Sequence, residues 1–162
     1  AMAHAAGVNV EAEIGHVGGG EGSFEGSDVD EGMYTNPADA RAFVEATGVD
    51  ALAVAFGTVH GVFKGTPRLD IPRLQAIKAR VDVPLVMHGG SGVSEEDFVK
   101  AVAAGINKIN LFTEISMAAV AKSVAHAQAR ENKVHFVELV YVAKMEVAGL
   151  AKKYIRLFHP TP

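Results

Sequence analysis

Short β-branched runs alternate with segments of helical period along this chain, and that alternation limits the fold more than any other feature. The runs cover residues 8–14, 51–56, 83–88 and 106–112, and the helical segments cover 37–47, 71–80, 94–104 and 114–130. A further helix is expected over 134–158. Strand alternating with helix implies a parallel sheet with right-handed crossovers. The runs are mostly apolar, as strands are when helices cover both sheet faces. Two architectures satisfy this pattern: an open doubly wound sheet, or part of a (βα)8 barrel. A complete barrel takes about 250 residues, so the four βα units of this 162-residue chain correspond to half of one.

Local signals agree with these boundaries. Asn36 and Pro37 form a cap and first-turn pair, and Ser94 with Asp97 resembles a capping box. Residues 1–7, AMAHAAG, read as the last turns of a helix closed by Gly7. A chain that starts inside a helix is expected to be part of something longer.

Composition excludes more than it assigns. Hydrophobic residues make up 49% and charged residues 21%, a globular balance that argues for one packed segment over 1–162. The net charge of −4, with no basic run, argues against nucleic acid and against a membrane surface as partners. No apolar stretch approaches a membrane span, and no signal peptide is evident. The chain has no cysteine, so any metal must be held by His, Asp or Glu. A cytoplasmic location fits that usage.

Polar residues gather where each run ends. The first run yields Glu11 and Glu13, alternating on one face; the second leads to His60, the third to His88, and the fourth to Asn110 and Thr113. In parallel α/β folds the C-terminal strand ends form the ligand face. A single histidine at such a position is more often structural, but His60 and His88 recur at equivalent places, each followed by glycine. Neutral imidazoles with a carboxylate suit zinc, and His60, His88 and Glu13 are candidates to converge on one ion. The histidines at 4, 16, 126, 135 and 159 lack this context and read as surface or packing residues.

Gly89–Gly92 offers two readings, a plain tight connection or an anion site. Backbone N–H groups before a helix N-terminus attract anions. No Walker lysine or complete dinucleotide fingerprint is present. The loop over 15–36 is long, glycine-rich and acidic for a βα connection, which suggests a mobile active-site lid or a disordered insert. Within it, Glu21 is flanked by glycine and is a candidate proton carrier, or else a solvated acidic residue.

Taken in order, VEAEIGHVGGGEG, TNPADARAFVEATGVDALAVAFGTVHGVFKG, PLVMHGGSG, GINKINLFTE and KYIRLF resemble the C-terminal half of the class II, zinc-dependent ketose-bisphosphate aldolases. The resemblance implies a TIM barrel of which this chain supplies strands 5–8, their helices and a terminal helix. It implies reversible cleavage of fructose 1,6-bisphosphate or tagatose 1,6-bisphosphate to dihydroxyacetone phosphate and glyceraldehyde 3-phosphate. By position, it assigns zinc to His60 and His88, with Glu13 as an alternative ligand. It assigns substrate contacts to Gly61, Lys64, Gly89, Gly90, Ser91, Asn110, Leu111, Phe112 and Thr113, and the mobile-loop acid to Glu21. Zinc would act as a Lewis acid on the ketose carbonyl, so no Schiff-base lysine is needed. A monovalent cation also belongs to the implied cofactors, and a homo-oligomer to the implied assembly.

One departure stands out. The family's Asp-His pair, which supplies the C4 proton carrier and a third zinc ligand, has no counterpart: no Asp-His dipeptide occurs among the 162 residues. The expectation is therefore a chain inactive by itself, completed by an N-terminal half-barrel or a second copy. Two other classes compete: a non-catalytic half-barrel that dimerises through its open edges, and a metal-free phosphate-binding enzyme using His60 and His88 as acid and base.

Overall fold

The structure is a computed structural model that describes residues 2–19, 26–27, 31–63, 65 and 67–159. It divides into two compact units, residues 1–111 and 112–162. In the first unit, a short helix α1 (Met2–Ala5) precedes strand β1 (Glu11–Ile14). Strand β2 (Gly26–Ser27) and a 3-10 turn (Glu31–Met33) lead to α2 (Pro37–Thr47). Then come β3 (Ala51–Val54), β4 (Val62–Phe63), α3 (Ile71–Lys78), β5 (Leu85–Met87), α4 (Glu95–Ala103) and β6 (Ile106–Ile109).

The main sheet is wholly parallel, in the order β1-β3-β5-β6. Each anticipated helix is present within a few residues of its expected ends. The caps are those the sequence signals. Asn36 accepts from the Ala38 N–H at 2.8 Å, and Ser94 Oγ accepts from the Asp97 N–H at 3.1 Å. Gly7 (φ 70°) closes α1.

The strands are shorter than the apolar runs because regular pairing stops before the runs do. β3 ends at Val54, although Ala55, Phe56 and Val59 remain buried beyond it. A second pairing, β2 with β4, lies in segments read from sequence as loop. An isolated bridge joins Gly18 to Val59, with the His60 N–H donating to the Gly18 carbonyl at 2.6 Å.

Alternation sorts the main sheet into two faces. Leu52, Val54, Leu85 and Met87 share one face by register and are fully buried. Leu74, Ile77 and Phe98, from α3 and α4, are likewise fully buried. Burying each such side chain contributes about 1.5–3 kcal/mol. The opposite face carries Glu11, Glu13, Ala53, Val86 and Lys108.

Lys108 reaches that face through an irregularity. Leu85 is paired with Ile106, but Val86 is paired with Lys108, so Asn107 is an extra residue in β6. A bulge of this kind re-aims the residues that follow it. Without it, Ile106 and Lys108 would point the same way; with it, they point to opposite faces. The Asn107 Oδ1 accepts the Leu85 N–H at 3.0 Å, which stabilises the displaced register.

The second unit is a pair of helices, α5 (Thr113–Gln128) and α6 (Phe136–Phe158). Glu138 and His135 form a capping box at the start of α6. Tyr154 donates to the Glu114 carboxylate at 2.5 Å, and Ser123 Oγ donates to the Ala119 carbonyl at 2.8 Å. No helix among the described residues is long and apolar enough to cross a membrane.

Candidate metal centre

His88 follows β5 by one residue, and Glu13 lies near the end of β1. His60 is reached through a buried loop, residues 55–59, that continues from β3. One ligand atom from each of Glu13, His60 and His88 lies within 4.8 Å of the others. The His60 and His88 rings are 5.7 Å apart at their centroids and tilted by 40°. His88 Nδ1 is 2.6 Å from Glu13 Oε2, and its Nε2 is 3.1 Å from Glu11 Oε1.

The His88 side chain is 18% exposed, so the cluster is shielded yet reachable. Two imidazoles and a carboxylate make a donor set suited to zinc, with room left for exogenous ligands. Calcium and magnesium prefer oxygen ligands throughout. The residues therefore fit zinc by their chemistry.

Glycine at 89 is a packing requirement. Its φ of 66° lies in the left-handed region, and a Cβ there would sit 2.3 Å from the Val59 carbonyl oxygen. Any side chain would force the loop carrying His60 away from the turn carrying His88. Thr35 provides a second tie. Its Oγ1 donates to the Ile14 carbonyl at 2.6 Å and accepts the Ala55 N–H at 2.8 Å. Its own N–H donates to the Ala55 carbonyl at 2.9 Å. The ends of β1 and β3, and hence Glu13 and the His60 loop, are joined by one buried hydroxyl.

Of the phosphate-side candidates, Gly61, Gly89, Gly90, Ser91, Asn110 and Leu111 lie in the same unit. The Gly90 N–H donates to the Asn110 carbonyl at 3.2 Å, and the Asn110 N–H donates to the Met87 carbonyl at 2.9 Å. A Cβ on Gly90 would meet Leu111 at 3.2 Å. Gly90, Asn110 and Leu111 are thus brought together, with the Gly90 N–H occupied by a carbonyl. Ser91 and Gly61 are buried. Phe112 and Thr113 open the second unit, the first exposed and the second buried. Glu21 and Lys64 lie outside the described residues, as do 20–25 and 28–30 of the 15–36 loop.

Sequence reasoning passed over Lys108, whose Nζ lies 3.0 and 2.8 Å from the two oxygens of Glu11. The two residues come from the outermost strands of the sheet, so the polar face is curved enough for a side-chain pair to span it. Burial tends to raise the Glu11 pKa, but hydrogen bonds from Lys108 and His88, with their charges, outweigh it. The net shift is downward. A lysine just after the Asn107 bulge leaves no simple alternation signal, which is why the pattern hides it.

Residues 1–161 match the family model for class-II fructose-bisphosphate aldolase. Among solved structures, the chain is similar to the YdjI aldolase of Escherichia coli K12, at 36% identity and a TM-score of 0.79, over 97% of this chain and 52% of that one. It is also similar to a candidate fructose-1,6-biphosphate aldolase of Coccidioides immitis, at 30% identity and a TM-score of 0.78, over 96% of this chain and 53% of that one. The fold further matches the fructose-bisphosphate aldolase of Campylobacter jejuni, at 24% identity and a TM-score of 0.70, over 96% of this chain and 53% of that one. The chain spans about half the length of these structures.

Proposed function

The chain belongs to the class II fructose-bisphosphate aldolase family, and from that premise we propose that it forms the zinc-bearing half of a ketose-bisphosphate aldolase barrel. The observation that carries this reading is the convergence of Glu13, His60 and His88, whose ligand atoms lie within 4.8 Å of one another. Zinc bound there supplies Lewis-acid polarisation of the substrate carbonyl.

The chain's own residues do the rest of what this half contributes. His60 and His88 hold the metal, and Glu13 is the carboxylate that can join or leave. The segment around Gly61, Gly89, Gly90 and Ser91, with Asn110 to Thr113, holds the phosphate of the dihydroxyacetone phosphate portion, and Lys64 adds a positive charge. Aldol cleavage breaks the C3–C4 bond, leaves the electron pair on C3 and releases the C4 hydroxyl proton. Glu21 returns a proton to C3 of the three-carbon product. Acceptance of the C4 hydroxyl proton falls to the Asp-His pair of the other half, so this chain alone is inactive. The protein acts in the cytoplasm on a phosphorylated sugar and works as an oligomer. A monovalent cation beside the phosphate is part of the same proposal.

The two outer strands support a completing partner. β1 and β6 each lack a neighbour on one side among the described residues. Unpaired parallel edges favour association, with an N-terminal half-barrel or with a second copy as the non-catalytic alternative.

The test is zinc analysis with an aldol-cleavage assay on the 162-residue chain, alone and mixed with a family N-terminal half. We expect bound zinc, no turnover alone and turnover in the mixture. Turnover by the chain alone refutes the division of labour. No zinc and no complementation reduces the aldolase reading to ancestry. A native mass of two copies, unchanged by the N-terminal half, favours the non-catalytic dimer.

A further inference from the structure

The polar face holds one charged pair that metal binding and phosphate binding leave without a task. Glu11 and Lys108 come from opposite edges of the four-strand sheet, and between their strands the same face presents Ala53 and Val86. The Glu11 side chain is 32% exposed and the Lys108 side chain 52% exposed. An isolated ion pair this open contributes little to stability. Yet its geometry is costly to arrange: it needs the β6 bulge at Asn107, fixed by the Asn107–Leu85 hydrogen bond, to turn Lys108 toward β1.

What the pair touches suggests a use. Glu11 Oε1 is 3.1 Å from His88 Nε2, while the other ring nitrogen of His88 is 2.6 Å from Glu13 Oε2, within the candidate metal cluster. A histidine that ligates through one nitrogen is commonly oriented by a carboxylate on the other, which fixes its tautomer and strengthens it as a donor. Lys108 contacts both Glu11 oxygens and so restricts where that carboxylate can point.

We propose that Glu11, held by Lys108, is a positioning residue that accepts from His88 Nε2 and so turns Nδ1 toward the metal position. The proposal rests on the metal-centre reading, and it extends that centre by two residues. It also gives the Asn107 bulge a purpose: without it the ammonium would point to the other face of the sheet.

The test uses the full chain and two readouts. First, zinc affinity is measured by competition with a chromophoric chelator for wild type, E11A, E11Q and K108M. E11A is expected to weaken binding about 10- to 100-fold. E11Q should recover part of the loss, because its amide oxygen still accepts from Nε2, and K108M should lose less than E11A. Second, long-range ¹H–¹⁵N correlation spectra of the zinc-loaded proteins report which His88 nitrogen binds the metal. Wild type should bind zinc through Nδ1, and E11A should lose that preference. Wild-type zinc affinity in E11A and K108M overturns the proposal, as does unchanged zinc binding through Nδ1 in E11A. Should E11A fail to fold, the milder E11Q and K108M decide by the same two criteria. If wild type binds no zinc, the metal-centre reading fails and this proposal with it, whereas zinc bound equally by wild type and E11A refutes the proposal alone.

Discussion

The two faces of the four-strand sheet are made from alternate residues of the same strands, yet they have opposite characters. One presents Leu52, Val54, Leu85 and Met87, all fully buried. The other presents Glu11, Glu13 and Lys108, joined by His88 from the end of β5. The first face is a packing problem solved with apolar side chains. The second is a charge problem solved by pairing, since partly buried ionisable groups need partners. On the second face the charges come from the outer strands β1 and β6, while Ala53 and Val86 of the inner strands are apolar and buried, so damage to the first face should leave the charged one largely readable.

The largest effect expected from breaking this division is Leu85→Ala. Loss of a fully buried side chain should cost about 2–5 kcal/mol, seen as a lower urea midpoint. Its folded fraction should bind zinc with near-normal affinity, and a matching collapse in affinity would show that the faces are not separable. His60→Ala should do the reverse. Removing a direct ligand should weaken zinc more than the ~100-fold upper range for outer partners, with the urea midpoint nearly unchanged.

Thr35→Val sharpens the comparison at the seam between the faces. Its hydroxyl joins β1 to the residue after β3, and its loss strands the buried Ala55 N–H. The expected cost is about 1–3 kcal/mol, measured by denaturant unfolding. A change below a few tenths would mean that the pairing of β1 with β3 needs no such tie.

The smallest effect concerns acid. In the metal-free protein the folded-state pKa of Glu11 lies below its ordinary value of 4.5: burial raises it, and the Lys108 and His88 interactions outweigh that. The folded state then favours the carboxylate. That contribution is complete above the unfolded pKa and is lost as the pH falls through the lower folded pKa. Stability curves of wild type and E11Q should converge below the ordinary glutamate pKa and separate slightly above it. Curves separated by a constant amount across this range would remove the charge explanation.

Much of the architecture could be read from periodicity. The helices and their Asn36 and Ser94 caps follow from short-range spacing. So does the parallel order of elements, because strand–helix alternation leaves few other topologies. Strand ends were less legible, since Ala55, Phe56 and Val59 are as apolar as the strand before them but belong to a buried loop. The β2–β4 pairing was invisible because each partner is only two residues long. At the site, repetition exposed His60 and His88, and alternation exposed Glu11 and Glu13. Thr35 and Lys108 had no such signal.

Local sequence, then, determined which segments are helix or strand and which side chains could bind a metal. Those properties depend on neighbours one to four residues apart. Only the tertiary structure decided that Glu13, His60 and His88 meet within 4.8 Å, that a glycine must pass the Val59 carbonyl, and that Lys108 reaches Glu11. The reason is physical. Distances across a sheet depend on register, curvature and bulges, and a one-residue slip moves a side chain to the other face. The Asn107 bulge is that slip, and it turned an ordinary strand lysine into a partner of the candidate site.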